Sequence, residues 1–160
     1  MTDANRLLTA LRNELVTAGL VRRPSVVGAA PAMHIEPRDG PPAPGEREAP
    51  ETDGNLVVTL RLSGSLGEGA FGSYRRRVVV DLLYRSTGTD GLRAGRALDA
   101  AIVDRVVRRA DYGAGYTLDA GGASPTLVLQ SSVYAGLGPL SEIAGTRTDI
   151  AKILLEVLAA

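Results

Sequence analysis

Two runs in the middle of the chain restrict its fold more than any other feature. NLVVTLRLS (55–63) and YRRRVVVDLLYR (74–85) are rich in Val, Leu and Tyr, the residues of strands. GSLGEGAFG joins them, and its glycines permit the positive-φ conformations of a long hairpin connection. The spacing predicts an antiparallel pair with a mobile Gly-rich tip over 64–73.

Around this hairpin the chain alternates element types. Leu7, Leu8, Leu11 and Leu15 recur at helical spacing, with Thr2 or Asp3 as cap and Gly19 at the C′ position, so 3–18 is a helix. Pro24 and Pro31 make 20–31 an extended connector, and AMHIEP (32–37) reads as a short strand. Residues 89–111 form a second helix, capped by Asp90. Leu92, Leu98, Ile102, Val103, Val106 and Val107 give it an apolar stripe, and Arg and Asp fill the remainder. YGAGYTLDAGGASP is a Gly-rich link, and TLVLQSSVYAG (126–136) a strand. The last segment, TRTDIAKILLEVL, is ambiguous. Ile150, Ile153, Leu154, Val157 and Leu158 fit a helical stripe, while Ala151, Ile153, Leu155 and Val157 alternate with Lys152, Leu154 and Glu156 as in a strand. Periodicity alone leans to helix.

The expected architecture is one α+β domain over 1–160: an antiparallel or mixed sheet packed by two main helices, with the long hairpin and an extended loop. That loop, RDGPPAPGEREAPETDG (38–54), is rich in Pro, Gly and acid. It has too few apolar residues to offset its ordering entropy, so it reads as a flexible loop or arm.

Composition narrows the functional classes. With 18 basic and 18 acidic residues the net charge is zero, which argues against a broad electrostatic surface for nucleic acid. One Phe, five Tyr and no Trp make a base-stacking platform improbable. Cys is absent, so there is no thiol chemistry. Asp3, Arg6, Arg12 and Glu14 interrupt the first apolar positions, against a signal peptide. No window holds an apolar run of membrane-spanning length. The Arg preference (Lys152 is the one Lys) together with abundant Ala and Gly is the bias of a GC-rich genome.

Gly67, Gly69 and Gly72 fit G-x-G-x-x-G, and Phe71 gives the stretch the look of a kinase phosphate loop. The context required for that chemistry is missing. The following strand carries no Lys, and no HRD- or DFG-type motif follows. A dinucleotide fingerprint would open a helix, whereas Val78, Val79 and Val80 follow here. A single His, His34, leaves little for zinc and reads as a packed or half-exposed strand residue. Asp90, Asp99 and Asp104 lie among arginines and read as a solvated or interface salt-bridge face. No catalytic residue, cofactor or metal ligand is assigned. Arg75, Arg76 and Arg77 form the one dense basic run. They read either as charge protecting an edge strand or as a contact with an acidic partner or DNA phosphates.

The order of phrases brings a family into view. A leucine-rich helix leads to a strand ending in IEP. VVTLRLSG, a loop and RRRVVVDLLYRS follow, then ALDAAIVDRVV. TLVLQSSVYAGLGPLSE and TRTDIAKILLEV close the chain. Taken together, and notably in VYAGLGPLSE followed by TDIAKILLEV, this resembles the tail terminator proteins of long-tailed bacteriophages over nearly the whole chain. The resemblance implies a non-enzymatic virion protein of the tail and neck, assembled in the host cytoplasm. It implies a homo-oligomeric ring, typically a hexamer, at the head-proximal end of the tail tube. The ring would contact the tail tube protein and a neck or head–tail connector protein, with genomic DNA crossing its lumen without sequence-specific binding and no membrane partner. It also implies that the last segment is a strand. The acidic arm (Glu46, Arg47, Glu48), the Gly-rich tip (Gly67, Glu68, Gly69, Phe71) and Arg75, Arg76 and Arg77 are the candidate assembly contacts. The alternatives are another neck component, such as a connector, and a small nucleotide-binding protein using GEGAFG.

Overall fold

The computed structural model describes residues 3–24, 26–36, 54–69, 72–107, 116–118, 127–143 and 145–159. In chain order these form α1 (Asp3–Thr17), β1 (Ala32–Glu36), β2 (Leu56–Gly69), β3 (Gly72–Thr87), α2 (Gly88–Ile102) and a π-helical turn (Val103–Val107). β4 (Tyr116–Leu118), β5 (Leu127–Ile143) and β6 (Thr146–Ala159) follow. The strands make one sheet in the order β1-β2-β3-β6-β5-β4. Only β1 and β2 run parallel; every other neighbouring pair is antiparallel. This is the α+β architecture expected, a mostly antiparallel mixed sheet with two helices packed on it.

Side-chain alternation explains which face carries the helices. Leu56, Val58 and Leu60 of β2, Val80 and Leu82 of β3, and Ala151, Ile153 and Leu155 of β6 belong to one apolar cluster. Leu8, Leu11 and Leu15 of α1 join it, as do Leu98, Ile102 and Val106 from α2 and the π turn. The second helix packs closely at its start. Gly91 is buried, and a Cβ there would run into the carbonyl oxygen of Asn55.

The C-terminal segment is a strand, against its helical stripe. As β6 it pairs with β3 from Thr146 to Leu158 and with β5 along its other edge. Ala151, Ile153 and Leu155 alternate into the core as a strand requires, and the half-buried Ile150 and Leu154 of the other face complete the apparent helical stripe. The hairpin also differs from expectation. The connection anticipated over 64–73 is mostly strand, because pairing runs to Gly69 and resumes at Gly72. Register shifts after Leu62, Ser65 and Glu68 show how the glycines are used, as irregularities within the ladder.

Smaller differences follow the same logic. Helix α2 starts at Gly88, so Asp90 sits in its first turn and Thr87 takes the N-cap position. There Asp90 still complements the helix dipole. The regular helix ends at Ile102 and loosens into the π turn. The Gly-rich link contains β4, paired with Leu127–Leu129 of β5. The acidic arm over 38–53 lies outside the described residues, with Gly54 at its end on a positive-φ turn.

Candidate assembly surfaces

The sheet brings its charged residues together in compact clusters. Asp81 of β3 is 1% exposed and stands on the face away from the helices, since its neighbours Val80 and Leu82 point into the core. Arg61 is its register partner on β2 and Lys152 its register partner on β6. Arg61 Nε donates to Asp81 Oδ2 at 3.0 Å, and Lys152 Nζ donates to Oδ1 at 2.7 Å. Lys152 also reaches Ser63 Oγ at 3.2 Å. Three adjacent strands are thereby tied by one carboxylate.

Asp99 does the equivalent on the helix face with neutral partners. The Tyr84 hydroxyl of β3 donates to Asp99 Oδ1 at 2.7 Å, and the Tyr134 hydroxyl of β5 donates to Oδ2. Asp99 is buried, so the expected solvated salt-bridge face does not include it. Burial, first, and then the adjacent Asp99 push both phenols above their ordinary range, so they stay protonated as donors. Arg105 of the π turn donates to Glu14 of α1 at 2.8 Å, joining the two helices. Arg147 and Asp149 pair along β6 at 3.0 Å. Among the described residues no group of three or more His, Asp or Glu could hold a metal ion. His34 is packed at 5% exposure.

The expected contacts fare unevenly. Gly67, Glu68 and Gly69 lie in β2, with Glu68 opposite Arg76 and Gly69 opposite Gly72. Arg75, Arg76 and Arg77 are opposite Leu158, Val157 and Glu156 of β6. The edge-strand reading of these arginines is therefore wrong. β3 is flanked by β2 and β6, and among the described strands the outermost are β1 and β4. Phe71, Glu46, Arg47 and Glu48 lie outside the described residues.

The opposite end of the sheet, which sequence reasoning passed over, gathers the exposed apolar surface. The end is defined by Ala32, Leu56, Thr87, Thr146 and Ile143, where β1, β2 and β6 begin and β3 and β5 finish. The large apolar side chains exposed among the described residues are Val26 (52%), Val27 (98%), Leu140 (54%) and Ile143 (74%). Leu140 and Ile143 stand at the end of β5, Leu140 at the register shift between Pro139 and Ser141. Val26 and Val27 sit on the loop that enters β1. Arg22 builds that loop: it bridges Ala32, and its guanidinium donates to Ala30 O at 2.9 Å and Val26 O at 2.8 Å. A cleft of about 260 Å³ opens between Val57, Arg85, Ile143 and Thr148 at this end. The available sequence signal was weak, two valines after Pro24 and an isoleucine beside a turn.

Comparison with known proteins adds a fold and no function. No protein-family model matches the chain, and no curated protein matches its sequence. Among solved structures, one without a functional name covers 98% of this chain and 96% of its own length, at 12% identity and a TM-score of 0.51. At that identity the likeness concerns the fold alone, which it carries across nearly the full length of both chains.

Proposed function

We propose that the protein is a tail terminator of a long-tailed bacteriophage. It would form a ring on the head-proximal end of the tail tube, stop tube polymerisation and offer the neck a docking surface. The observation carrying this reading is the C-terminal segment. The resemblance required TRTDIAKILLEV to be a strand against its own helical stripe, and Thr146–Ala159 is a strand set between β3 and β5. The Asp81 cluster supports a structural role, because one buried carboxylate is taken up by Arg61 and Lys152 in tying three strands together.

A connector role is the closest rival. The nucleotide-loop reading has less support: Gly67, Gly69 and Gly72 lie in the paired strands of a hairpin, and no helix opens directly after them. The test is electron microscopy of lysates from a phage whose copy of this gene carries an early stop. Overlong, headless tails are expected. Tails of normal length beside filled heads would favour a connector, and normal virions would overturn both structural roles.

A further inference from the structure

We infer that the face of the sheet away from the helices is the docking surface for the chain's own acidic arm, residues 37–53, which crosses it between β1 and β2. The inference does not rest on the tail reading; it follows from the handedness of the sheet.

β1 and β2 are parallel neighbours, paired from Ala32 with Val57 to Glu36 with Arg61. The chain leaving Glu36 must therefore travel back along the sheet to reach Leu56, over one face or the other. The backbone distinguishes the two routes. Met33 packs into the core on the helix side, and its N–H donates to Arg22 O at 3.0 Å. In a strand running upward, an L-residue whose side chain faces the viewer directs its N–H and C=O to the right. Seen from the helix side, Arg22 thus lies to the right of β1 and β2 to its left. A connection over the helix side would be left-handed, and one over the opposite face right-handed. Such connections between parallel strands are right-handed in about 98% of cases. The outer side of β1 is taken at Ala32 by the Arg22 bridge. Length is no obstacle. The return from the level of Arg61 to Gly54 is about 23 Å at about 3.3 Å per residue, and the segment can span roughly twice that.

The receiving face suits this occupant. His34 and Val57 are buried on it, and Leu83, Ile150 and Leu154 are half-buried, although both described helices pack on the other side. Its described charges along this stretch are Arg61, Arg85 and Lys152 against Glu36 and Asp81, a small positive excess. The arm carries Asp39, Glu46, Glu48, Glu51 and Asp53 against Arg38 and Arg47, a negative excess. The signs are complementary.

The chain has no cysteine, so disulfide trapping in the full chain reports this contact directly. Ala43→Cys or Ala49→Cys, near the middle of the arm, is paired either with Thr59→Cys on the face away from the helices or with Ala97→Cys on the exposed side of α2. Under mild oxidation, with intermolecular dimers separated, the Thr59 pairs are expected to close about tenfold faster than the Ala97 pairs, because the arm is held at higher effective concentration there. Leu83→Cys replaces Thr59→Cys if that variant loses the wild-type circular dichroism. Closure with Ala97 as fast as with Thr59 or faster, or no closure at either face, would overturn the inference. Neither result bears on tail length, which tests the proposed function separately.

Discussion

Asp81 and Asp99 are both buried carboxylates, at 1% and 5% exposure, yet their partners differ in kind. Asp81 is held by two cations whose side chains remain 40% and 45% exposed. Asp99 is held by two phenols, one of them fully buried. The difference follows from the two faces. On the face without a described helix, Arg and Lys can bury their stems and keep their charged heads near water. Beneath α2, Asp99 is buried against Tyr84, and two neutral hydroxyl donors take the place of cations. Asp81 therefore fastens strand to strand, whereas Asp99 fastens a helix to two strands.

The comparison predicts unequal costs of removal. Asp99→Ala leaves the Tyr84 hydroxyl buried without its acceptor, and should cost roughly 2–4 kcal/mol in denaturant unfolding. An effect no larger than that of Asp81→Ala would break the distinction. Tyr84→Phe should cost about 1–1.5 kcal/mol and change the pH dependence. The folded-state pKa of Tyr84 is raised above the unfolded value, about 10. Its contribution is thus complete below that pH and lost as pH rises further. Stability should fall above pH 10 by about 1.4 kcal/mol per pH unit for this group, and Tyr84→Phe should remove that slope. Denaturation midpoints between neutral and strongly alkaline pH would show it.

Asp81→Ala should cost about 1–2 kcal/mol, because Arg61 and Lys152 can turn into solvent once their partner is gone. Lys152→Met is the smallest effect, under about 1 kcal/mol, since Arg61 still holds the carboxylate. High salt should narrow the gap between Lys152→Met and wild type and leave the Asp99→Ala cost unchanged, because only the former contact joins two opposite charges. A salt-independent Lys152 effect would place that pair deeper than the structure does.

These same residues mark what the sequence could reveal. Leu7, Leu8, Leu11 and Leu15 announced α1 because one buried face imposes a single period. The Val- and Leu-rich runs announced β2 and β3 for a similar reason. Partnership was harder. Asp81 in VVVDLLY and Lys152 in AKILLEV are each a charge inside an apolar strand, but only the β3–β6 register makes them opposite. Asp99 looked like part of an Arg-rich outer face until Gly91 and Gly95, lacking side chains, let α2 press that face onto the sheet. The glycines of 64–69 suggested a loop because glycine composition cannot separate a turn from a bulged ladder. The exposed valines at 26–27 have no periodic partner, so their place beside the sheet's end is a tertiary fact.

The most direct measurement is tube growth in vitro. Tail tube protein would be polymerised with and without this chain, and lengths and ends recorded by electron microscopy. The tail terminator account predicts tubes carrying a ring at one end, with elongation halted there. Undecorated tubes that grow to the same length with or without the protein would contradict it.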